Sequence, residues 1–305
     1  MRAQRLIVTG AGGFLGSAVA RAAVAAGQDV VAFVRNNSSR LAPIANDIAI
    51  HEVDLADPPA VAALLDAVEP DIVIHSAWEG VGGALRSGDI QLDNVRTSVA
   101  LADAAIAAGA VKFVGIGSQA EYGRYDRRIT EADLPQPTML YGAAKLAANH
   151  LAAQRCREAG ISFAWLRLFS VYGPGDNPNW LIPSTAASLV RGKPPKCTAG
   201  TQKWDYLHID DAARGVLSAA MTKDANGVFN LSSGNPVPVR TIVEMLRDIA
   251  APGLDLRFGD IPFGPDQIMH LEGDNGRLRE ATGWSVRISL GDGLRQVVDE
   301  MRVPA

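Results

Sequence analysis

Tyr141 and Lys145 stand four positions apart in the run Tyr-Gly-Ala-Ala-Lys, downstream of Ser118. On a helix, positions i and i+4 share one face, so the ammonium lies beside the phenol. A tyrosine near its ordinary pKa of ~10 exchanges protons reluctantly at neutral pH. A neighbouring cation favours the phenolate and lowers that value. Reducing a ketone needs hydride from one side and a proton on the forming alkoxide. Tyr141 is therefore a candidate proton donor and Ser118 a candidate hydrogen-bond donor to a carbonyl. Lys145 would tune the phenol and hold a nicotinamide ribose.

Such chemistry needs a cofactor site, and the elements that could build one are legible. Apolar runs of strand length (RLIVTG, DVVAFV, AIHEVDL, DIVIHSA, KFVGIGS, FAWLRLF) alternate with alanine-rich helical stretches, one of them from about Leu140 to Ala159. Strands alternating with helices predict an α/β fold, a doubly wound parallel Rossmann sheet. Continuous apolar strands fit a sheet covered on both faces. After Tyr172 the chain turns rich in Gly and Pro, as in YGPGDNPNW, GKPPKC and APGLDLRFGDIPFGPDQ. That predicts a smaller, irregular C-terminal substrate lobe. The expected division is a cofactor domain over residues 1–170 with a return segment at about 206–232. The substrate lobe then takes 171–205 and 233–305.

The first strand turns at Gly10-Ala-Gly-Gly-Phe-Leu-Gly16. Glycines at 10, 13 and 16, with Gly12, let the backbone approach a pyrophosphate, and the next helix presents its positive N-terminus there. The second strand ends Phe33-Val34-Arg35-Asn36-Asn37-Ser38-Ser39-Arg40, without the acid that would accept from a ribose 2′-hydroxyl. Arg35 and Arg40 are either solvated surface residues or partners for a 2′-phosphate, which arginine binds in bidentate fashion. The expectation leans to NADP(H), with NAD(H) possible. Asp54-Leu55 is placed for the adenine edge. Asn94 either extends a proton path or makes a local bond.

The chain has 305 residues, 48% hydrophobic and 20% charged, with a net charge of −4. These values are ordinary for a globular enzyme and give no reason to expect a nucleic-acid partner. Cys156 and Cys197 form neither a disulfide framework nor a metal spacing, so a reducing, cytoplasmic setting is expected. No signal-peptide core and no apolar run of membrane length is present, so no membrane partner is expected. No metal is expected: His75, His208 and Asp210-Asp211 fit strand-end packing and helix capping.

The glycine loop, Ser118, Tyr141 and Lys145 together resemble the short-chain dehydrogenase/reductase superfamily. The chain is similar to its extended branch, the sugar-nucleotide epimerases, dehydratases and reductases. VDLAD, IHSAW, GSQAEYG, YGAAK, LRLFSVYGPGD, WDYLHIDDAARGV and ATGWSVRISLGDGLRQ carry that resemblance along nearly the whole length. It implies Ser118, Tyr141 and Lys145 as a catalytic triad and a sugar nucleotide as substrate. It also implies Phe14, Leu15, Ser76, Ala77 and Trp78 along the cofactor, and a homodimer through the helices around 90–108 and 140–159.

Departures from the family pattern narrow the choice. The 4,6-dehydratases carry Asp-Glu after the Ser/Thr for water elimination, whereas Gln119 and Ala120 stand here, and neither does acid–base work. Glu121, displaced by one, is expected to line the pocket together with Trp78 and Gln119. Trp204-Asp205 replaces an Arg-Asp pair, Gly264 follows Phe263 where an arginine is common, and Ser170 replaces an Asn. Lys203 or Arg277 is left to hold the diphosphate, with Trp180 and Ser170 beside the substrate. The segments look most like reductases of nucleoside-diphosphate 4-keto-6-deoxyhexoses. The alternatives are an NAD-dependent sugar-nucleotide epimerase and a non-catalytic NADP-binding regulatory protein.

Overall fold

A computed structural model describes residues 3–302. In chain order its elements are β1 (Arg5–Thr9), α1 (Phe14–Ala25), β2 (Asp29–Val34), β3 (Ala49–Glu52), α2 (Pro58–Val68), β4 (Ile72–His75), α3 (Ile90–Ala107), β5 (Lys112–Ser118), α4 (Leu140–Ala159) and β6 (Ser162–Leu168). There follow β7 (Ser170–Tyr172), α5 (Leu181–Val190), β8 (Lys203–Trp204), β9 (Tyr206–His208), α6 (Ile209–Met221) and β10 (Gly227–Leu231). The chain closes with β11 (Val237–Pro238), α7 (Val239–Ala250), β12 (His270–Leu271), α8 (Gly276–Thr282) and α9 (Leu290–Arg302).

Seven parallel strands form the central sheet in the order β10-β6-β5-β4-β1-β2-β3. The order reverses between β1 and β4, and a crevice opens there at the carboxyl ends of the strands. The twofold period of a strand sends successive side chains to opposite faces. Leu6 and Val8 accordingly join one core with α1 and α6. Ile7 joins the other, with Phe33, Val73, Phe113 and Trp165, under α2, α3 and α4. Both faces are covered, which is why the strands read as unbroken apolar runs.

Two details of packing set up the crevice. Gly115 and Gly117 on β5 leave room for the Trp165 indole, which a side chain at either position would strike. The Glu121 carboxylate, fully buried, accepts from Trp165 Nε1 at 2.9 Å and Arg167 Nε at 2.8 Å. It also accepts from the Ser118 backbone N–H at 2.9 Å. Beyond β6 the chain forms a two-stranded pair, β7-β9, and a three-stranded sheet, β11-β8-β12. There α5, α7 and α9 bury Ile182, Leu189, Ile242, Leu246, Leu294 and Val298. No helix among the described residues is long and apolar enough to cross a membrane.

Removing one partner of a buried ion pair strands the other in a low-dielectric interior, at a cost of about 3–5 kcal/mol. Arg167 and Glu121 are 4% and 0% exposed in their side chains. Arg167→Ala is expected to lose that much stability in urea unfolding at neutral pH, and a loss below about 1 kcal/mol would contradict the assignment.

Candidate active site

The glycine turn forms the floor of a cleft of about 370 Å³ at the strand reversal. Gly10 has φ +65°, and a side chain there would run into the Ala77 backbone. One at Gly12 would strike the Asn37 carbonyl, and one at Gly16 the Gly10 carbonyl. Gly13 is the N-cap of α1; no side chain caps that end, and its first turn holds no acid. Free N–H groups and a positive helix end therefore face the glycine turn, which fits the pyrophosphate of a dinucleotide. Gly10, Gly12, Gly13, Arg35, Asp54, Leu55, Ser76, Ala77, Trp78 and Asn94 all line the cleft. Phe14 and Leu15 instead pack their side chains on the first core.

Two cofactor expectations change. Arg40 is not among the lining residues; its guanidinium lies 6.0 Å from the Phe14 ring centroid. It approaches the Gly175 backbone, because the 3-10 turn at Ser39–Ile44 carries it away from the end of β2. Arg35 does line the cleft, but it is ion-paired with Glu79, a residue of the β4–α3 loop that sequence reasoning missed. Asn94 makes the local bonds. Its Oδ1 accepts from the Glu79 N–H at 3.0 Å and its Nδ2 donates to the Glu79 carbonyl at 2.9 Å.

Ser118 ends β5, and Tyr141 and Lys145 occupy the first turns of α4; all three are buried. Ser118 Oγ accepts from the Ala120 N–H at 3.1 Å, which locks the strand-to-turn corner. Burial raises the Tyr141 pKa above its ordinary value, against the opposing pull of Ser118 and the Arg86 charge. Burial lowers Lys145 to about 7, with Glu121 acting the other way. Lys145 Nζ donates to the Ile116 carbonyl at 2.6 Å and lies 3.6 Å from the centroid of a Trp78 ring. Trp78 meets Tyr141 edge-to-face, with centroids 6.3 Å apart.

Two further residues of this wall carry no motif. Gln91 is fully buried; its Oε1 accepts from Trp78 Nε1 at 2.9 Å. Its Nε2 donates to the carbonyls of Gly80 and Leu85, each at 2.9 Å. Arg86 places its guanidinium carbon 4.6 Å from the Tyr141 ring centroid. Neither was visible in the sequence, because nothing in its periodicity says that the loop of residues 76–89 folds back on α4.

The expected substrate residues divide. Gln119 has a buried Oε1 with no partner. Trp180, 44% exposed, approaches Gly82 across the crevice. Lys203 is exposed on β8. Ser170 Oγ accepts from Trp204 Nε1, so two positions that depart from the family pattern are partners of each other. Glu121 does not line the pocket: its carboxylate is turned inward to Arg167 and Trp165. Arg277 stands beside Gly227 and 5.1 Å from the Phe229 ring centroid, near the amino end of edge strand β10. That end is opposite the carboxyl ends of the strands, where the crevice opens, so Arg277 stands apart from it. His75 sits between Thr9 Oγ1 at 2.8 Å and Ser98 Oγ at 2.9 Å. Burial, aided by Lys145, holds it neutral with a pKa of about 3. His208 caps α6, and Asp211 accepts from the N–H groups of Arg287 and Ile288.

The chain is 28% identical over 313 residues to GDP-6-deoxy-D-mannose reductase of Pseudomonas aeruginosa, covering 97% of each chain. It is 29% identical to dTDP-6-deoxy-L-talose 4-dehydrogenase (NAD(P)(+)) of Kitasatospora kifunensis, over 96% of this chain and 94% of that one. In fold it matches the UDP-glucose 4-epimerase of Thermotoga maritima with a TM-score of 0.88, 98% coverage of both chains and 23% identity. The model of the NAD dependent epimerase/dehydratase family matches residues 6–232. The chain therefore belongs to the NAD-dependent epimerase/dehydratase family, an extended branch of short-chain dehydrogenases/reductases whose members include sugar-nucleotide reductases, dehydratases and epimerases.

Proposed function

We propose that the protein reduces a nucleoside-diphosphate 4-keto-6-deoxy sugar to the 4-hydroxy sugar, using NADPH. The observation that carries this reading is the convergence of Ser118, Tyr141 and Lys145, the last two packed on Trp78, which lines the glycine-floored cleft, with Gln119 and Ala120 where elimination would need an acid and a base. The nicotinamide cofactor supplies the hydride. Ser118 donates a hydrogen bond to the C4 carbonyl oxygen, where negative charge grows, and Tyr141 gives that oxygen its proton. Lys145 braces the site through the Ile116 carbonyl and the Trp78 face, close enough to neutrality to pass a proton. The similarity to a GDP-6-deoxy-D-mannose reductase over 97% of the chain supports the substrate class.

A second reading, a sugar-nucleotide epimerase that keeps NAD bound, is favoured by one feature. Arg40 lies outside the cleft and Arg35 is paired with Glu79, so the 2′-phosphate site is thinner than two free arginines would make it. An exposed pair of this kind contributes only about 0–1 kcal/mol, so a phosphate can still draw Arg35 away from Glu79.

One assay separates the two readings. Enzyme, NADPH and a 4-keto-6-deoxyhexose nucleotide are expected to show stoichiometric NADPH loss and a single C4 configuration. Tyr141→Phe is expected to lose at least about 10²-fold in turnover while cofactor still binds. Interconversion of two 4-hydroxy epimers without net cofactor use would establish the epimerase instead. Titration tests the cofactor separately. NADPH is expected to bind about tenfold or more tightly than NADH, as charge-assisted bonds to a phosphate allow. Arg35→Ala should shrink that gap and Glu79→Gln should widen it. Equal affinities for the two cofactors would count against the preference.

A further inference from the structure

We propose that Arg86 is a second, positioning cation for Tyr141, held over the phenol ring so that its permanent charge favours the phenolate. The inference rests on the reading of Tyr141 as the acid–base residue and extends it to a part of the chain that carries no motif.

The geometry begins with Lys145, the cation expected to do this work. Its ammonium is directed to the Ile116 carbonyl and the Trp78 ring. It is 4% exposed, and burial lowers its pKa to about 7, so it carries only part of its charge at neutral pH. A guanidinium, by contrast, does not lose its proton in a protein. Arg86 stacks on the ring with its central carbon 4.6 Å from the centroid. A cation over an aromatic face is attracted by the ring's electron density. That attraction grows when the hydroxyl ionises and sends charge into the ring. The Arg86 Nε is buried and has no hydrogen-bond partner. An unpaired buried N–H is unfavourable, so this placement calls for an offsetting contact, and the Tyr141 ring supplies one.

The loop is built to hold that placement. Gln91 ties the carbonyl of Leu85, the residue before Arg86, to α3, and also secures Gly80 and Trp78. Gly80 and Gly83 take φ of +68° and +61°, which lets the chain fold back within a few residues. One amide side chain thus positions both Trp78, the platform under Lys145, and Arg86, the cation over Tyr141.

The other charged and titratable groups around the phenol do not replace Arg86. Glu121, on the 3-10 turn after β5, raises the Tyr141 pKa, but its carboxylate is paired with Arg167 of β6. His75 on β4 is neutral. Ser118 contributes a hydrogen bond and no charge. Lys145 lies on α4 itself, one turn along.

Removing the Arg86 charge disfavours the phenolate, so the Tyr141 pKa must rise. The test is a pH titration of the full-length protein labelled with ¹³Cζ-tyrosine, in which the Tyr141 signal is the one lost in Tyr141→Phe. Arg86→Gln is expected to move the Tyr141 titration up by about one pH unit, a tenfold fall in phenolate fraction at a given pH. Arg86→Met, which keeps an apolar stem over the ring, should move it as far, and Arg86→Lys should return it most of the way. Thermal unfolding and NADPH binding of each variant report whether the fold is intact. An unmoved titration in folded Arg86→Gln, or a wild-type titration in Arg86→Met, would overturn the proposal. The measurement uses no substrate, so it can fail while the ketoreductase assay succeeds, and the reverse.

Discussion

The Glu121 carboxylate is the point on which the catalytic corner depends. It accepts three hydrogen bonds at full burial, from the backbone of Ser118, the indole of Trp165 and the guanidinium of Arg167. Those donors belong to the end of β5 and to β6, so one side chain fastens two neighbouring strands to the turn that follows the first. The turn in turn fixes Ser118, whose hydroxyl accepts from Ala120. Gly142 on α4 packs so closely on the Ala120 carbonyl that any side chain there would collide with it. Ser118 and Tyr141 are thereby held by the same corner, and neither can drift without the other. A buried charge is tolerable here because it is paired and fully hydrogen-bonded.

The opposite wall is built by different means. It is a loop, and loops lack a ladder to hold them, so their polar groups must find partners among side chains. Gln91 and Asn94, both on α3 and both buried, supply them to residues 79, 80 and 85. A helix of the apolar core thus reaches up with two amides and organises the rim of the crevice. The arrangement puts rigid aromatic and cationic surface against α4 without placing a regular element there.

This division explains what could be read from the sequence. The sheet, the helix Leu140–Ala159 and the glycine turn all rest on local periodicity or on a turn whose chemistry is visible in a few residues. The Ser118, Tyr141 and Lys145 cluster was legible because it lies on a strand end and one helix face, where spacing maps onto geometry. Glu121 was misread as a pocket residue, because facing in or out depends on the single 3-10 turn at Gln119–Glu121 and on a cavity left by glycines of β5 for Trp165. Arg277 and Arg40 were misplaced for a related reason. Their charge suited a phosphate, but a short turn and the helix α8 direct them elsewhere. Gln91, Glu79 and Arg86 were missed because their roles come from a loop folding back, which no period encodes.

The electrostatics of the site follow from where burial acts. Tyr141 and Lys145 are both driven toward their neutral forms by the same apolar surroundings, the phenol upward and the ammonium downward. Burial thus works against both the proton donor and the ammonium beside it. The buried Glu121 is matched by Arg167, so that pair adds little net field. A further cation stands at the rim, partly exposed, over the ring face rather than at the hydroxyl. Placed there it leaves the hydroxyl free for substrate and Ser118. It also needs little desolvation, since a guanidinium is weakly hydrated and keeps its charge. A site of this design keeps its reacting groups dry and supplements the buried ammonium with charge from a residue that never has to be fully buried.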